Sequence, residues 1–513
     1  MYQIHHFQKL IFISIIGCIW GNTFGGTAVN GISISKANSV QYVSHLCSDG
    51  EGGAIIAWID YRNESGDSTQ GADIYAQRLT QEGLTPWTAN GIAVCTARND
   101  QFFSLGTQKL ASDGLGGAIL VWYDYRNTTG NLTQGADIYA QRINSEGSTL
   151  WTDNGVAICT AEYDQTGPTI IPDGQGDAII TWADSRHASS STTDIYAQRV
   201  NSEGSTLWTS NGVAICTAAN EQQIPYLISD GSGGAIITWY DYRDTTSNET
   251  AGSNIYAQRI NSAGSTLWKS NGIAICTAVN DQSVPQLCYD GSSGAIITWF
   301  DFRGTTSNEL QGGDIYGQRI NGNGSTLWMT NGVAICTVNG SQTFPDILED
   351  GSGGAIIGWW DDRKPKDFNI YAQHINGNGL SLWANNGVAI CTATNNQQGT
   401  QLVSDGNGGA ILTWWDYRYD ITSSSSTTIN VFAQRVNSNG STLWALDGIA
   451  ICTAKGIQKN PVLVSDGKGG AIITWWDTRN GYENADIYAA HIYSSGYIEF
   501  PLAITPKIWE SFQ

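Results

Sequence analysis

Residues 224–243 read IPYLISDGSGGAIITWYDYR, and after a polar loop residues 254–278 continue as NIYAQRINSAGSTLWKSNGIAICTA. The Asp-Gly pair within this stretch opens a Gly-rich turn, and the same pair recurs about every 60 residues along the chain. It begins at Asp49, Asp113, Asp173, Asp230, Asp290, Asp350, Asp405 and Asp466. Eight copies of one unit therefore fill almost all of the 513 residues, which leaves no room for a separate catalytic domain.

Each unit contains four predicted strands. The first ends at the Asp-Gly turn, which is a strong hairpin signal because both central positions favour a positive φ. The second, residues 235–241 in the fourth unit, is apolar on both faces and must lie between neighbouring sheets. Residues 255–260 supply the third, and we place the fourth around Leu267 and Trp268. Four antiparallel strands per unit, packed face to face, predict an all-β fold, an eight-bladed β-propeller.

The two ends of the chain predict how the ring closes. The eighth unit stops after Tyr497–Phe500 and lacks the NGVAIC segment, whereas residues 30–35 read NGISIS. The separation of 19 residues between Asn30 and Asp49 equals that between Asn211 and Asp230. We therefore expect residues 30–35 to pair with the strand near Phe500 and to complete the last blade, which leaves no open sheet edge.

The N-terminus is typical of an exported protein. Leu10–Trp20 is an apolar run of 11 residues, too short to cross a bilayer, and predicts a signal peptide over residues 1–25. Ile15–Cys18 also resembles a bacterial lipobox, so a lipid anchor on Cys18 is the alternative to plain secretion. We expect one propeller domain at residues 26–504, a tail at 505–513, and a secreted, extracellular or cell-envelope location without a membrane span.

Composition and charge exclude some partners. The chain has 60 Gly and 20 Trp but only 14 % charged residues, which suits short strands and tight turns better than helices. With 46 acidic and 25 basic side chains its formal charge is −21. Such a charge disfavours binding to nucleic acid or to an anionic membrane surface.

The repeat resembles known families of propellers. The run YAQRVNSEGSTLW at 196–208 is similar to the tryptophan-docking repeat of quinoprotein-like propellers, and the likeness to secreted and cell-surface bacterial propellers covers residues 30–504. This resemblance implies the fold. It does not bring a cofactor with it, because the chain has one extra residue before the Gly and no matching cofactor ligands. The run is also similar to the sialidase Asp-box, although the spacing from Gly147 to Trp151 is four and Ser145 stands at the Asp position.

An Asp-x-Arg motif ends the second strand of every unit. It comprises Asp60/Arg62, Asp124/Arg126, Asp184/Arg186, Asp241/Arg243, Asp301/Arg303, Asp361/Arg363, Asp416/Arg418 and Asp477/Arg479. A feature needed once per blade favours a structural ion pair within or between blades. The alternative is a multivalent lectin in which Asp, Arg and Trp contact sugars. Recurrence alone does not separate the two.

Two tryptophan positions and one cysteine position also recur, and we expect all three in the core. The first tryptophan position (Trp239 in the fourth unit) is followed in six units by another aromatic residue, which should face the next blade; an exposed sugar-stacking platform is the alternative. The repeat cysteines are predicted to be buried and reduced, since equivalent positions in neighbouring blades are too far apart for most disulfides. A Cys276–Cys288 disulfide is the alternative. The repeat cysteines are Cys95, Cys159, Cys216, Cys276, Cys336, Cys391 and Cys452.

Catalytic and metal-binding signatures are sparse. The sequence has no GxSxG, HExxH, CxxC or phosphate-loop motif. The many carboxylates leave a glycosidase pair open, so whether the chain is an enzyme stays undecided, with a non-enzyme favoured. We expect no cofactor. The acidic loop at residues 60–73 is interpreted as solvated, with calcium binding as the alternative.

The variable loops point to the functional surface. The turns DGxGG and NSxGS should share one face, and the loops after Asp-x-Arg the other, together with the connections between blades. The connection into unit 2 is longer than the others and carries Phe102 and Phe103, which either contact a ligand or plug the central channel. We predict a binding or scaffold module for a protein or polymer ligand on this face; the alternative is a carbohydrate-active propeller, either a lectin or a glycosidase. The predicted ligand-binding residues are Phe102, Phe103, Asp60, Arg62, Asp124, Arg126, Asp241, Arg243, Asp301 and Arg303.

Overall fold

The computed structural model of the chain is a ring of eight antiparallel sheets, so the predicted eight-bladed propeller is confirmed. The structure describes residues 30–64, 71–104, 108–128, 135–173, 176–187, 192–245, 252–304, 312–364, 367–420 and 428–499. The predicted signal peptide, the Cys18 anchor and the C-terminal tail lie outside these residues. Within them, no helix is long and apolar enough to cross a bilayer.

The described residues form 34 β-strands and one turn of 3-10 helix at Tyr482–Asn484. Blade 1 consists of β2 (Gln41–Ser48), β3 (Ala54–Asp60), β4 (Asp73–Leu79) and β5 (Ile92–Cys95). Blade 2 consists of β6 (Gln101–Phe102), β7 (Leu110–Ser112), β8 (Ala118–Asp124), β9 (Asp137–Ile143) and β10 (Val156–Cys159). Blade 3 consists of β11 (Gln165–Pro172), β12 (Ala178–Asp184), β13 (Asp194–Val200) and β14 (Val213–Cys216). Blade 4 consists of β15 (Gln222–Ser229), β16 (Ala235–Asp241), β17 (Asn254–Ile260) and β18 (Ile273–Cys276).

The second half of the ring repeats this plan. Blade 5 consists of β19 (Gln282–Tyr289), β20 (Ala295–Asp301), β21 (Asp314–Ile320) and β22 (Val333–Cys336). Blade 6 consists of β23 (Gln342–Glu349), β24 (Ala355–Lys364), β25 (Asp367–Ile375) and β26 (Val388–Cys391). Blade 7 consists of β27 (Gln397–Ser404), β28 (Ala410–Asp416), β29 (Asn430–Val436) and β30 (Ile449–Cys452). Blade 8 consists of β31 (Gln458–Ser465), β32 (Ala471–Asp477), β33 (Asp486–Ile492), β34 (Ile498–Glu499) and β1 (Ile32–Ser35).

In each sheet the strands follow chain order from the channel outward, except that the N-terminal β1 is an outermost strand of blade 8. The first strands of neighbouring blades contact one another and so surround the central axis. The second strands are buried on both faces, as their apolar sequence predicts. In blade 2 an insertion divides the first strand into β6 and β7, which both pair with β8.

The predicted position of the fourth strand is wrong. Residues around Leu267 and Trp268 make only one bridge to the third strand, between Ile260 and Thr266. The fourth strand is β18, which pairs with β17 after the Asn271-Gly272 turn. Trp268 instead leaves its own blade, and its indole N–H donates to the carbonyl oxygen of Gly322 in the next blade at 3.0 Å.

The N-terminal strand closes the ring, although its partner differs from the predicted one. β1 pairs with β33 through Ile32 and Ala489, and β34 pairs with the same edge of β33 further along through Ile498 and Ile492. The two segments therefore lie end to end on β33 and do not pair with each other. In blade 8, residues 498–499 hold the position that Thr266 and its bridge hold in blade 4, and residues 32–35 form the fourth strand.

Apolar contacts between blades form the core. The eight tryptophans of the second strands are fully buried, and they pack against the preceding blade. The nine described cysteines are buried and none forms a disulfide, as predicted, so Cys276 and Cys288 are not joined. Burial raises the pKa of the Cys276 thiol to about 12, which keeps it protonated and unreactive.

Candidate binding surface at the channel mouth

The propeller has two distinct faces. The turn face carries the DGxGG and NSxGS turns, which are nearly the same in every blade. The loop face carries the Asp-x-Arg ends of the second strands and the connection from each fourth strand to the next blade. Because its loops differ in length and composition, the loop face is where one blade differs from another.

The Asp-x-Arg motifs are built into the structure between blades. Asp241 is fully buried and accepts the Trp239 indole N–H at 2.7 Å. The Arg243 guanidinium donates to both oxygens of Asp241 at 2.9 and 2.6 Å and lies 3.7 Å from the Tyr256 ring centroid. It also donates to the Asn271 carbonyl oxygen at 2.8 Å and to the Cys216 sulfur of the preceding blade at 3.1 Å.

The Asp–Arg ion pair recurs in all eight blades and fits the structural interpretation of the motif. Each carboxylate has no exposed side-chain surface, so a ligand could touch only the edge of the guanidinium. A ligand-binding role for the motifs of blades 1, 2, 4 and 5 stays a prediction. These motifs are Asp60/Arg62, Asp124/Arg126, Asp241/Arg243 and Asp301/Arg303.

The two predicted phenylalanines differ in exposure. Phe103 is 3 % exposed and packs edge-on against His45, with ring centroids 5.3 Å apart. It therefore belongs to the core between blades 1 and 2. Phe102 is partly exposed at the loop face, where its ring centroid lies 5.8 Å from that of Tyr123 and 6.3 Å from that of Tyr125. Residues 105–107 of the same connection lie outside the described residues.

Phe102 is part of a larger feature, which we call the aromatic belt. Its rings lie at the loop-face ends of the first and second strands and, for Phe368, of a third strand, around the mouth of the central channel, and several neighbouring rings touch, as Phe300 and Phe302 do with centroids 4.3 Å apart. The belt consists of Tyr42, Tyr61, Phe102, Tyr123, Tyr125, Tyr240, Tyr242, Phe300, Phe302, Phe344, Trp360, Phe368, Trp415, Tyr417 and Trp476. The aromatic residue that follows the buried tryptophan in six units is evident from the sequence, but the belt that these rings complete is not.

The belt is interrupted at blade 3. Gly167, Ala183 and Ser185 occupy the positions that hold aromatic side chains in other blades. Elsewhere most rings are half-buried, although Trp476 is buried, and burial raises the pKa of Tyr123 and Tyr240 to about 12. Their hydroxyl groups therefore remain protonated at neutral pH, and Tyr240 donates to the Gln223 side-chain oxygen at 2.9 Å.

Deeper in the channel, one position of each first strand forms a second ring of side chains. Here the repeats differ most in chemistry, and the side chains point toward the first strand of the next blade. Lys109 donates to the Pro168 carbonyl oxygen at 2.7 Å, and Asp346 accepts the Leu402 backbone N–H at 2.9 Å. This channel ring consists of His45, Lys109, Thr169, Tyr226, Gln286, Asp346, Gln401 and Val462.

Burial shifts the titration of three members of the channel ring. It lowers the pKa of His45 to about 3, with help from the nearby charge of Lys109, and it lowers the pKa of Lys109 itself to about 7. It raises the pKa of Asp346 to about 6. Glycoside hydrolysis normally requires two carboxyl groups, and Asp346 is the one carboxyl group of this ring.

The described residues contain no group of three or more His, Cys, Asp or Glu side chains placed to hold a metal ion. The acidic loop at 60–73, for which calcium was the alternative, lies partly outside the described residues, at 65–70. On the turn face, a shallow depression contains Arg78, which is already paired with Asp49 at 2.9 Å and Glu51 at 2.6 Å.

Comparisons with known proteins give only distant structural likenesses. No family model matches the chain, and no curated protein matches it. A protein of unknown function from Dyadobacter fermentans shares 10 % identity at a TM-score of 0.37, over 63 % of this chain and 93 % of its own. An ulvan lyase, described as a new family of polysaccharide lyase, shares 9 % identity at a TM-score of 0.46, over 78 % of this chain and 96 % of its own. An endo-arabinase from Bacteroides thetaiotaomicron shares 15 % identity at a TM-score of 0.25, over 52 % of this chain and 93 % of its own. These likenesses are too distant to indicate a function.

Proposed function

We propose that this chain is an exported propeller that acts as a binding module and holds a protein or polymer ligand on its loop face. The observation that supports this most is the aromatic belt, whose residues change from blade to blade while the turn face repeats one pattern. A rigid scaffold that varies on one face only is the usual design of a binding protein. Half-exposed aromatic side chains supply large contact areas at a low entropic cost.

Two carbohydrate-active alternatives are less well supported by the geometry. A multivalent lectin built on Asp-x-Arg would need an identical exposed pocket in every blade, but the carboxylates of these motifs are fully buried. A glycosidase would need a second carboxyl group beside Asp346 in the channel ring. A carbohydrate as a bound ligand, rather than as a substrate, is favoured by the belt, because sugars stack on aromatic rings.

The experiment compares the two faces of the full chain on a glycan array and a peptide array. The belt variant combines Tyr242→Ser, Phe302→Ser and Phe344→Asn. Tyr242 and Phe302 hold the same repeat position in blades 4 and 5, and Ser185 holds that position in blade 3. The matched control removes three turn-face leucines, Leu207, Leu267 and Leu327, which are each about half-exposed.

We expect the belt variant to lose the array signals of the wild-type chain and the leucine variant to keep them. Thermal unfolding of both variants checks that neither loss comes from unfolding. The opposite pattern, with binding lost only in the leucine variant, would show that the turn face binds the ligand. An array without any signal would remove the proposal.

A further inference from the structure

The most exposed ring of the belt lies where blade 6 meets blade 7. Phe344 is 48 % exposed, and its ring centroid lies 4.5 Å from that of Trp360. Trp360 in turn contacts Trp415 of blade 7 at 5.8 Å and Phe368 at 6.4 Å. These four rings, which we call the blade 6–7 cluster, make one continuous aromatic surface across the two blades.

The indoles of this cluster differ from the structural tryptophans of the repeat. The structural indoles are satisfied: Trp359 donates to Asp361 at 2.8 Å, and Trp383 donates to the Ser438 carbonyl oxygen at 2.8 Å. The N–H groups of Trp360 and Trp415, like that of Trp476 in blade 8, are buried and have no hydrogen-bond acceptor among the described residues. Leaving a donor without an acceptor is unfavourable, so stability alone does not account for tryptophan at these two positions.

Two further features favour a ligand at this place. Blade 6 has only five residues, 364–368, after its Asp-x-Arg motif, whereas blades 1, 2, 4 and 5 have ten. Asp346, two residues beyond Phe344 on β23, is partly exposed; its two carboxylate oxygens accept the backbone N–H groups of Ile347 and Leu402 at 3.0 and 2.9 Å, and each keeps a further lone pair for a ligand. An aromatic surface with an acceptor on the same strand suits a ligand with both an apolar face and hydroxyl groups.

We propose that the blade 6–7 cluster is a subsite for one pyranose unit of a neutral polysaccharide. The C–H groups on one face of the sugar stack on the negative π faces of the rings, and a sugar hydroxyl donates to Asp346. The formal charge of −21 disfavours polyanionic glycans, which is why the sugar is neutral. A proline-rich peptide also stacks on aromatic rings, but its exposed carbonyl groups need donors, and the carboxylate supplies none.

This inference rests on the proposed binding role of the loop face, so its test uses one position in two blades. Phe344 sits at a bulge with φ 51°, where the side chain of an L-residue is strained, and Asn460 holds the same position in blade 8 with φ 52°. Phe344→Asn therefore removes the ring at a backbone site that already accepts asparagine. Ile224→Asn is the matched control in blade 4, since Ile224 has φ 48° and is 47 % exposed.

The full chain and both variants are titrated calorimetrically with neutral gluco-, xylo- and manno-oligosaccharides. We expect Phe344→Asn to weaken binding roughly tenfold and Ile224→Asn to leave it within about twofold. Both variants should unfold at the wild-type temperature or above it, because asparagine relieves the strained φ.

The other outcomes reject the inference and separate it from the proposed function. Equal loss in both variants, or loss in neither, would place the sugar elsewhere on the loop face and overturn the subsite. Wild-type binding to anionic glycans or to a proline-rich peptide, but to no neutral sugar, would show that the ligand of the cluster is not a neutral pyranose. No binding to any of these ligands, together with silent arrays, would remove both proposals.

Discussion

Removing the buried carboxylate of one Asp-x-Arg motif should destabilise the whole ring. Asp241→Ala leaves the Arg243 guanidinium, whose side chain is 16 % exposed, without its charge partner. Breaking a buried pair in this way costs about 3–5 kcal/mol, and the Trp239 indole N–H also loses its acceptor. The remaining contact of Arg243 with the Asn271 carbonyl oxygen, at 2.8 Å, limits the loss. We therefore expect the free energy of unfolding to fall by about 4 kcal/mol.

Urea denaturation followed by tryptophan fluorescence measures this change. Asp153→Ala, which removes an exposed carboxylate, is the control and should stay within about 0.5 kcal/mol of the wild type. The double variant Asp241→Ala/Arg243→Ala should lose less than the sum of the two single variants, because it no longer contains an orphaned charge. A loss below about 1 kcal/mol for Asp241→Ala would refute the structural role of the motif and favour a ligand-binding one.

Three further predictions concern the channel, the contacts between blades and the cysteines. The pKa of Lys109 falls from 10.5 to about 7 on folding, so between these pH values the unfolded chain keeps a proton on this amine that the folded chain has lost. The free energy of unfolding of the wild type, relative to that of Lys109→Met, should therefore rise by up to about 1.4 kcal/mol per pH unit from pH 7 to 10 in urea titrations. Buried thiols such as Cys276, whose pKa rises on folding, lower the stability of both proteins equally as the pH rises, and His45, with a pKa of about 3, stays neutral; parallel curves for the two proteins would contradict the burial of the amine. Gly264 has φ 82°, and a Cβ there would lie 2.7 Å from the Trp208 indole of the preceding blade. Gly264→Ala should therefore lower the free energy of unfolding by about 2 kcal/mol and lower the melting temperature. An unchanged melting temperature would contradict the packing of Trp208 against this turn. The nine cysteines of the described residues should resist a thiol reagent in the native protein and all react after denaturation without reductant; a largely oxidised protein would be inconsistent with this structure.

Much of the fold could be predicted because the same pattern of strands and turns recurs in eight units. The Asp-Gly turns give the period, the apolar second strands require a sheet on each side, and Asn30-Gly31 supplies the segment missing after Phe500. The fourth strand was misplaced because the tight turn at residues 261–265 predicts that a strand follows it directly, whereas Thr266 makes a single bridge and the indole of Trp268 then binds the next blade. Local propensity does not show a contact with a neighbouring blade.

The sequence by itself determined the number of blades, the closure of the ring and the buried state of the repeat cysteines and tryptophans, since each depends on a pattern that every copy repeats. The tertiary structure decided the candidate site. Phe344, Trp360 and Trp415 belong to different strands and to two blades, and only the radial packing of the sheets brings their rings together. The same packing divides Phe102 from Phe103, which are neighbours in sequence but on opposite sides of the boundary between surface and core. Residues that differ from copy to copy give no periodic signal, so their meeting at the channel mouth follows from closure of the ring and not from the repeat.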